Sequence, residues 1–322
     1  MFNSKILVGD VLMMLGTLED ASVDCVVTSP PYYGLRNYQV EGQIGLEPTL
    51  SEFVATMVKV FGEVARVLKP SGTVWLNLGD SYAGSGKGPS KSLNQEHHHL
   101  EGVHSAIVPD GLKPKDMCGA PWRVAFGLQD DGWYLRQEII WHKPNPMPES
   151  VRDRCTKSHE SIFLLAHPDS GGKYYYDADA VRESNAGDLP YGDKKNFKMN
   201  DPRAQGRHGK NSMFGGGTRQ EYIDKYYTNG RNKRSVWTIA TKPYKHAHFA
   251  TFPPELPRTC ILAGCPPGGT VLDPFAGAGT TLLEANRLQR DAIGIELNPE
   301  YAKLMDDRIY EDAPLFTEVD VL

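Results

Sequence analysis

The sequence predicts an α/β layered fold. Short apolar runs with the composition of buried strands alternate with stretches of helical periodicity. Near residue 280 a strand ends in a glycine-rich turn that leads into a helix. No internal repeat is present, so solenoids and propellers drop out. With 322 residues, the chain is long enough for one large domain, or two modest ones, around a sizeable core.

Lys5 to Val8 reads as a short strand and Val11 to Leu18 as a short helix. DCVVT (24–28) reads as a buried strand that must turn at Pro30 and Pro31, because proline cannot extend a central strand. Thr49 and Glu52 form a T-x-x-E capping box, and Phe53, Met57, Val60, Val64 and Leu68 follow at helical spacing, which predicts a helix over 51–68. Pro70, Ser71 and Gly72 stop it, and TVWLNL (73–78) is the next strand. From Gly84 to Gly119 the chain is rich in Gly, Ser, His and Pro and reads as a loop insertion. His97, His98 and His99 lie in it. Adjacent side chains diverge and no cysteine or acidic cluster accompanies them, so no metal site is expected.

Pro121 suits the first turn of a helix that runs to about Leu128. Trp133 to Trp141 and Ser161 to Ala166 resemble strands on either side of the proline-rich HKPNPMPES turn. From about Gly171 to Thr241 the composition turns polar, basic and tyrosine-rich, which marks a second, irregular module. The α/β patterning then resumes with TVLDPF (270–275), a helix from Thr281 to Leu288, and the strand AIGIE (292–296).

Composition excludes several classes. At 40% hydrophobic residues the chain is too apolar for disorder, and at a mean hydropathy of −0.44 it is too polar for a membrane protein. The opening MFNSKILVGDVLMML lacks a charged leader and a small-residue cleavage site, so the expected location is cytoplasmic. Five cysteines (25, 118, 155, 260 and 265), none in a CxxC pair, give neither a disulfide framework nor a thiolate zinc site. Net charge is −5, but Arg182 to Arg234 holds 12 Lys/Arg against 6 Asp/Glu, which leaves −11 on the remainder.

Two segments carry chemistry. In VLDPFAGAGTT (271–281) a strand ends at Asp273 and Gly277 and Gly279 lead into a helix, which leaves bare backbone at the carboxyl edge of a parallel sheet, where nucleoside ligands sit. A dinucleotide fingerprint would need a third glycine where Leu282 stands, which disfavours a nucleoside-cofactor oxidoreductase. About twenty residues on, Glu296 ends the next strand, placed to accept hydrogen bonds from ribose hydroxyls; taken alone, the segment also fits a turn with an N-capping acid. In TSPPYYGLRNY (28–38) two prolines stiffen the turn and fix Ser29, the Pro30 carbonyl and the Tyr32 ring relative to one another. A planar aromatic substrate could stack on Tyr32 while an amino group donates to Ser29 and the Pro30 carbonyl; alone, SPPY also fits a tight turn with a packed tyrosine.

Together the two segments resemble the amino-methylating DNA methyltransferases, which move a methyl group from S-adenosylmethionine to an exocyclic base nitrogen. Their tetrapeptide [SDN]PP[YFW] is matched by Ser29, Pro30, Pro31 and Tyr32, and their cofactor loop by Asp273 to Thr281. HFATFPPEL (248–256) is similar to the segment that precedes that loop. The catalytic motif, the variable module and then the cofactor loop follow in the order of the family's beta class. The resemblance covers nearly the whole chain apart from the insertion and the variable module.

The resemblance implies a doubly wound, mostly parallel sheet carrying an inserted DNA-recognition module. Residues 1–170 would form the catalytic part, 171–241 the target-recognition module and 242–322 the cofactor-binding part. It places Asp273 near the methionine amino group, lines the cofactor with Phe275, Gly277, Gly279 and Thr280, and gives Glu296 the ribose. Asp10 resembles the acid near the adenine amino group, and a simple helix cap is the alternative. His248, Phe249 and Pro253 would lie beside the methionine tail, with core packing the alternative for Phe249.

The implied partner is double-stranded DNA, contacted through Lys194, Lys195, Arg203, Arg207, Arg231 and Arg234. A restriction endonuclease counterpart, and a choice between monomer and dimer, are not written in the chain. The base would be extruded into the pocket and methylated by direct displacement. Carbon-5 chemistry would need the family cysteine that follows a proline, and none of the five does. Serine at the first tetrapeptide position implies the N4 amino group of cytosine, with N6-adenine the alternative and a DNA-binding protein without catalysis a more distant one.

Overall fold

The computed structural model describes residues 2–38, 40–84, 108–184, 230–242, 252–312 and 317–322. The histidine run, Phe249, Lys194, Lys195, Arg203 and Arg207 lie outside them. The chain forms two compact units, Met1–Tyr176 with Ser235–Leu322, and Asp177–Arg234.

In the larger unit the described elements are β1 (Phe2–Val8), α1 (Val11–Leu15), β2 (Val23–Thr28), α2 (Leu50–Val67), β3 (Leu68–Leu78), α3 (Ala120–Asp130), β4 (Tyr134–His142), β5 (His159–Ala166), β6 (Val236–Thr238), α4 (Glu255–Gly264), β7 (Thr270–Asp273), α5 (Thr280–Arg287), β8 (Asp291–Glu296), α6 (Pro299–Asp312) and β9 (Thr317–Val321). The strands make one sheet in the order β6-β4-β5-β3-β2-β7-β8-β1-β9. Among the described strands only β5 runs against its neighbours, β3 and β4. The expected mostly parallel, doubly wound sheet is what the chain builds.

Local chemistry explains most of the boundaries. Thr49 Oγ1 accepts from the Glu52 amide and the Glu52 carboxylate accepts from the Thr49 amide, so the capping box starts α2 one residue earlier than its apolar period. Phe53, Met57, Val60, Phe61, Val64 and Val67 of that helix are fully buried; each contributes about 1.5–3 kcal/mol of apolar transfer energy. Strand β3 is covered on both faces. Val74, Leu76 and Leu78 join the core beneath α1, α2 and α3, whereas Thr73 and Trp75 face α4, where Gly264 passes so close that a Cβ would lie 2.4 Å from Trp75 Nε1. Burial on both faces accounts for the unbroken apolar run that the sequence shows there.

Helices α4 and α6 and strands β6 and β9 lie outside the elements predicted from the sequence. Helix α4 begins beside Pro253 and Pro254 without a side-chain cap, and the three-residue β6 exists through its pairing with β4. Within the larger unit Tyr176 stacks near Trp75, whose ring also meets Trp237.

In the smaller unit, described over 177–184 and 230–234, Glu183 and Arg231 exchange backbone hydrogen bonds of 2.9 Å. The Glu183 carboxylate accepts from Arg231 Nε at 3.3 Å and from Arg234 Nε at 2.9 Å.

Gly279 opens α5 at φ +73°, where a Cβ would lie 2.3 Å from Met305 Cγ of α6. Gly279→Ala is expected to cost about 1–3 kcal/mol in unfolding free energy through backbone strain and overpacking. A urea midpoint equal to that of the wild type would contradict this packing.

Candidate active site

Strands β2 and β7 pair in parallel through Val26 and Leu272, but their connections leave in opposite senses, β2 by way of α2 to β3 and β7 by way of α5 to β8. Such a switch point opens a crevice beyond the carboxyl ends of the strands. A cavity of about 950 Å³ lies there, in the larger unit, lined by Asp10, Ser29, Tyr32, Phe275, Gly277 and Glu296, among others.

One end of the cavity is built from β1, β7 and β8. Glu296 closes β8, and its carboxylate accepts from the Gly277 amide at 2.8 Å and the Asn298 amide at 2.9 Å. Burial raises its pKa above the ordinary carboxylate value, and these backbone donors oppose the rise. At Gly277, with φ +53°, no atom lies within 4 Å of the site a Cβ would take. Phe275 and Thr280 line the same wall. Asp10 Oδ1 caps α1 by accepting from the Leu12 and Met13 amides, the helix cap given as the alternative, and the residue also lines the cavity.

Asp273 lies behind that wall, 1% exposed. Its carboxylate accepts from Thr28 Oγ1 and Thr281 Oγ1, each at 2.7 Å, and from the Phe275 amide at 3.1 Å. The side chain thus joins three backbone segments, and Gly279 likewise serves packing against α6. Burial pushes the Asp273 carboxyl up to about 6 despite these donors.

The other end is built around the SPPY turn. Ser29 Oγ lies 3.2 Å from Tyr32 Oη and 3.3 Å from Asn77 Oδ1. Tyr32 Oη donates to Glu160 Oε2 at 2.7 Å. Asn77 Nδ2 donates to the same Glu160 oxygen at 3.2 Å, and Lys143 Nζ pairs with the other carboxylate oxygen. The Lys143 ammonium also sits 4.2 Å from the centroid of the Trp141 ring. Burial and the neighbouring Glu160 carboxylate hold the Tyr32 phenol well above its ordinary value, so it stays protonated. Lys157, also on the cavity wall, is pulled below the ordinary lysine value by burial.

Asn77, Gly79, Lys143 and Glu160 escape a reading by motif. Gly79 matters because a Cβ there would fall 2.4 Å from Tyr32 Cε2, so only a bare backbone lets the tyrosine ring lie in place. The apolar strand TVWLNL, with a polar Asn77 near its end and Gly79 just after it, and the polar pair His159 and Glu160 before an apolar run, were the available signals. Among the described residues no cluster of His, Cys, Asp and Glu has the arrangement to hold a metal ion, and no helix is long and apolar enough to cross a membrane.

A single crevice that carries the SPPY turn and, at the end of β8, the acid Glu296 defines a methyltransferase of the amino-methylating kind. A family model described as DNA methylase matches residues 23–307, and the chain belongs to that family. It is 45% identical over 305 residues to the type II methyltransferase M.SmaI of Serratia marcescens, covering 95% of this chain and 90% of that one. It is 44% identical over 301 residues to the type II methyltransferase M.Cfr9I of Citrobacter freundii, covering 94% and 86%. Its fold is shared with the PvuII DNA methyltransferase (cytosine-N4-specific), at a TM-score of 0.62 and 18% identity over 99% of this chain and 94% of that one. A putative DNA modification methylase of Thermus thermophilus, solved in complex with S-adenosyl-L-methionine, has the same fold at a TM-score of 0.57 and 24% identity over 99% of both chains.

The buried Asp273 gives a prediction with a definite sign. Its carboxyl, ordinarily near 3.8, sits at about 6 in the folded protein, so the native state holds this proton more tightly than the unfolded chain. The associated stabilisation is complete below the unfolded value and is lost as pH rises through about 6, roughly 3 kcal/mol in all. The unfolding free energy of Asp273→Asn minus that of the wild type should therefore rise by roughly this amount between about pH 4 and pH 7. A difference independent of pH would contradict the assignment.

Proposed function

We propose that this protein transfers a methyl group from S-adenosylmethionine to the N4 amino group of cytosine in duplex DNA. The observation that carries this reading is that Ser29 and Pro30 open onto the same cavity as Glu296 and Phe275. A nucleophile and a nucleoside cofactor then share one chamber. Names of relatives at 45% and 44% identity, all type II methyltransferases, support the class. Serine at the head of the tetrapeptide supports cytosine over adenine.

The residues fit the nucleoside part of the cofactor. Gly277 leaves bare backbone beside the Glu296 carboxylate, an arrangement with acceptors for ribose hydroxyls and no side chain in the way. Asp10 adds a carboxylate on the cavity wall suited to an amino group, and Phe275 an aromatic surface. Pro253, and Phe249 and His248 outside the described residues, are kept as candidates for the methionine side, with Asp273 holding the loop that faces it. When bound, S-adenosylmethionine supplies an electrophilic methyl group on a sulfonium sulfur.

Everything else falls to the chain. Ser29 Oγ and the Pro30 carbonyl accept hydrogen bonds from the target amino group, which turns its nitrogen lone pair outward. The Tyr32 ring replaces the stacking that an extruded base loses. The leaving sulfur departs neutral, so alignment and exclusion of water supply most of the acceleration, and no strong base is required. The module around residues 177–234, with an excess of basic residues that includes Lys194, Lys195, Arg203, Arg207, Arg231 and Arg234, supplies contacts to phosphates and sequence selection. Arg231 and Arg234 would reach DNA from a base fixed by Glu183.

Mass spectrometry of nucleosides from unmethylated DNA incubated with the protein and S-adenosylmethionine should detect N4-methylcytosine. N6-methyladenine would overturn the choice of base, and the absence of any methylated base would overturn the function. Glu296→Ala should weaken S-adenosylmethionine binding in calorimetry by about tenfold or more, given two lost charge-assisted hydrogen bonds. Tyr32→Ala should cut turnover and leave that affinity within about threefold; the reverse pattern would exchange the two assignments.

A further inference from the structure

The polar cluster beside Ser29 has a direction. A carboxylate accepts and never donates, so the single proton of the Tyr32 hydroxyl is committed to Glu160 Oε2, its shortest and only charged partner at 2.7 Å. The ammonium of Lys143 sits on the other Glu160 oxygen and completes an ion pair with it. The same Glu160 oxygen accepts a hydrogen bond from Asn77 Nδ2 at 3.2 Å, and the Ser161 carbonyl accepts another at 3.3 Å, which orients the amide so that Asn77 Oδ1 faces Ser29. Both neighbours of Ser29 are therefore acceptors toward it: Tyr32 Oη at 3.2 Å has its proton engaged elsewhere, and Asn77 Oδ1 at 3.3 Å has none.

We infer that Glu160, held by Lys143, is a positioning residue that fixes the polarity of Ser29, drawing its hydroxyl proton into the protein so that only oxygen lone pairs face the cavity. Beside it the Pro30 carbonyl is also a pure acceptor. A base that presents an amino group finds two acceptors; one that presents a carbonyl at the same place, as uracil does in place of cytosine, finds lone pairs against lone pairs. Glu160 thus selects amino-bearing over keto-bearing bases without touching the base. The inference rests on the docking of an amino group at Ser29, and it holds for cytosine and adenine alike.

The test uses the full protein with S-adenosylhomocysteine, so that no turnover occurs, and two duplexes that differ only at the mapped methylation position. One carries the methylatable base and the other its deaminated, keto counterpart, each opposite an abasic site so that pairing does not bias extrusion. By fluorescence anisotropy the wild type should prefer the amino base by about tenfold or more, since a keto base leaves buried acceptors unpaired. Glu160→Gln, whose amide can donate back to Tyr32, should shrink the preference to within about twofold, and its kcat should fall while KM for S-adenosylmethionine stays within about threefold. Ser29→Ala, a change too small to endanger folding, should shrink the preference as well.

An undiminished preference in Glu160→Gln, or in Ser29→Ala should the first variant not fold, would overturn the inference, as would a wild type without preference. Failure of the wild type to methylate any DNA would instead remove the reading of function on which it rests.

Discussion

The architecture of the site depends on one buried carboxylate. Asp273 accepts from Thr28, the residue before Ser29, from Thr281 in the first turn of α5, and from the Phe275 amide in the glycine-rich loop. These bonds cross the place where β2 and β7 send their connections to opposite faces of the sheet, so the crevice is braced where it would otherwise be free to splay. A carboxyl that holds its proton up to about 6 is the consequence of taking that charge out of water. The Asp273 side chain thus ties the loop that carries Gly277 to the segment that leads into Ser29.

The two ends differ in chemistry in a way that suits their tasks. At the Glu296 end the donors that meet the carboxylate are backbone amides, fixed by the strand and loop themselves, and the wall is partly aromatic. At the Ser29 end a chain of side chains meets an ion pair between Lys143 and Glu160, and each hydroxyl or amide proton has a defined recipient. Rigid backbone suits a cofactor of constant shape. A directed side-chain network suits the selection of the amino group proposed to dock at Ser29.

What the sequence revealed is local in origin. The capping box of Thr49, the double proline after Thr28, the glycine pair at 277 and 279 and the acid at 296 each lie within a few residues of the structure they specify, and their chemistry is legible in order. Asp10 was legible for the same reason, and it both caps a helix and reaches the cavity. Glu160, Lys143 and Asn77 were not, because only the antiparallel pairing of β5 with β3 and β4 brings them to Tyr32. Gly79 reads as an ordinary turn glycine until the tyrosine ring is seen against it. For Asp273 the motif marks the glycine-rich loop, while the long-range contact from Thr28, which no local pattern shows, is visible only in the fold. Helix α4, uncapped and short, takes its stability from packing against β2 and β3, which no local pattern announces.

On the proposed function, one crevice brings a nucleoside cofactor and an extruded base to a common point. A crystal structure of the protein with S-adenosylhomocysteine and a duplex containing its methylation site should show the cofactor ribose on Glu296, and the target base out of the helix with its amino nitrogen within hydrogen-bond distance of Ser29 Oγ and the Pro30 carbonyl. A base left in the stack, or an amino group seated away from Ser29, would contradict it.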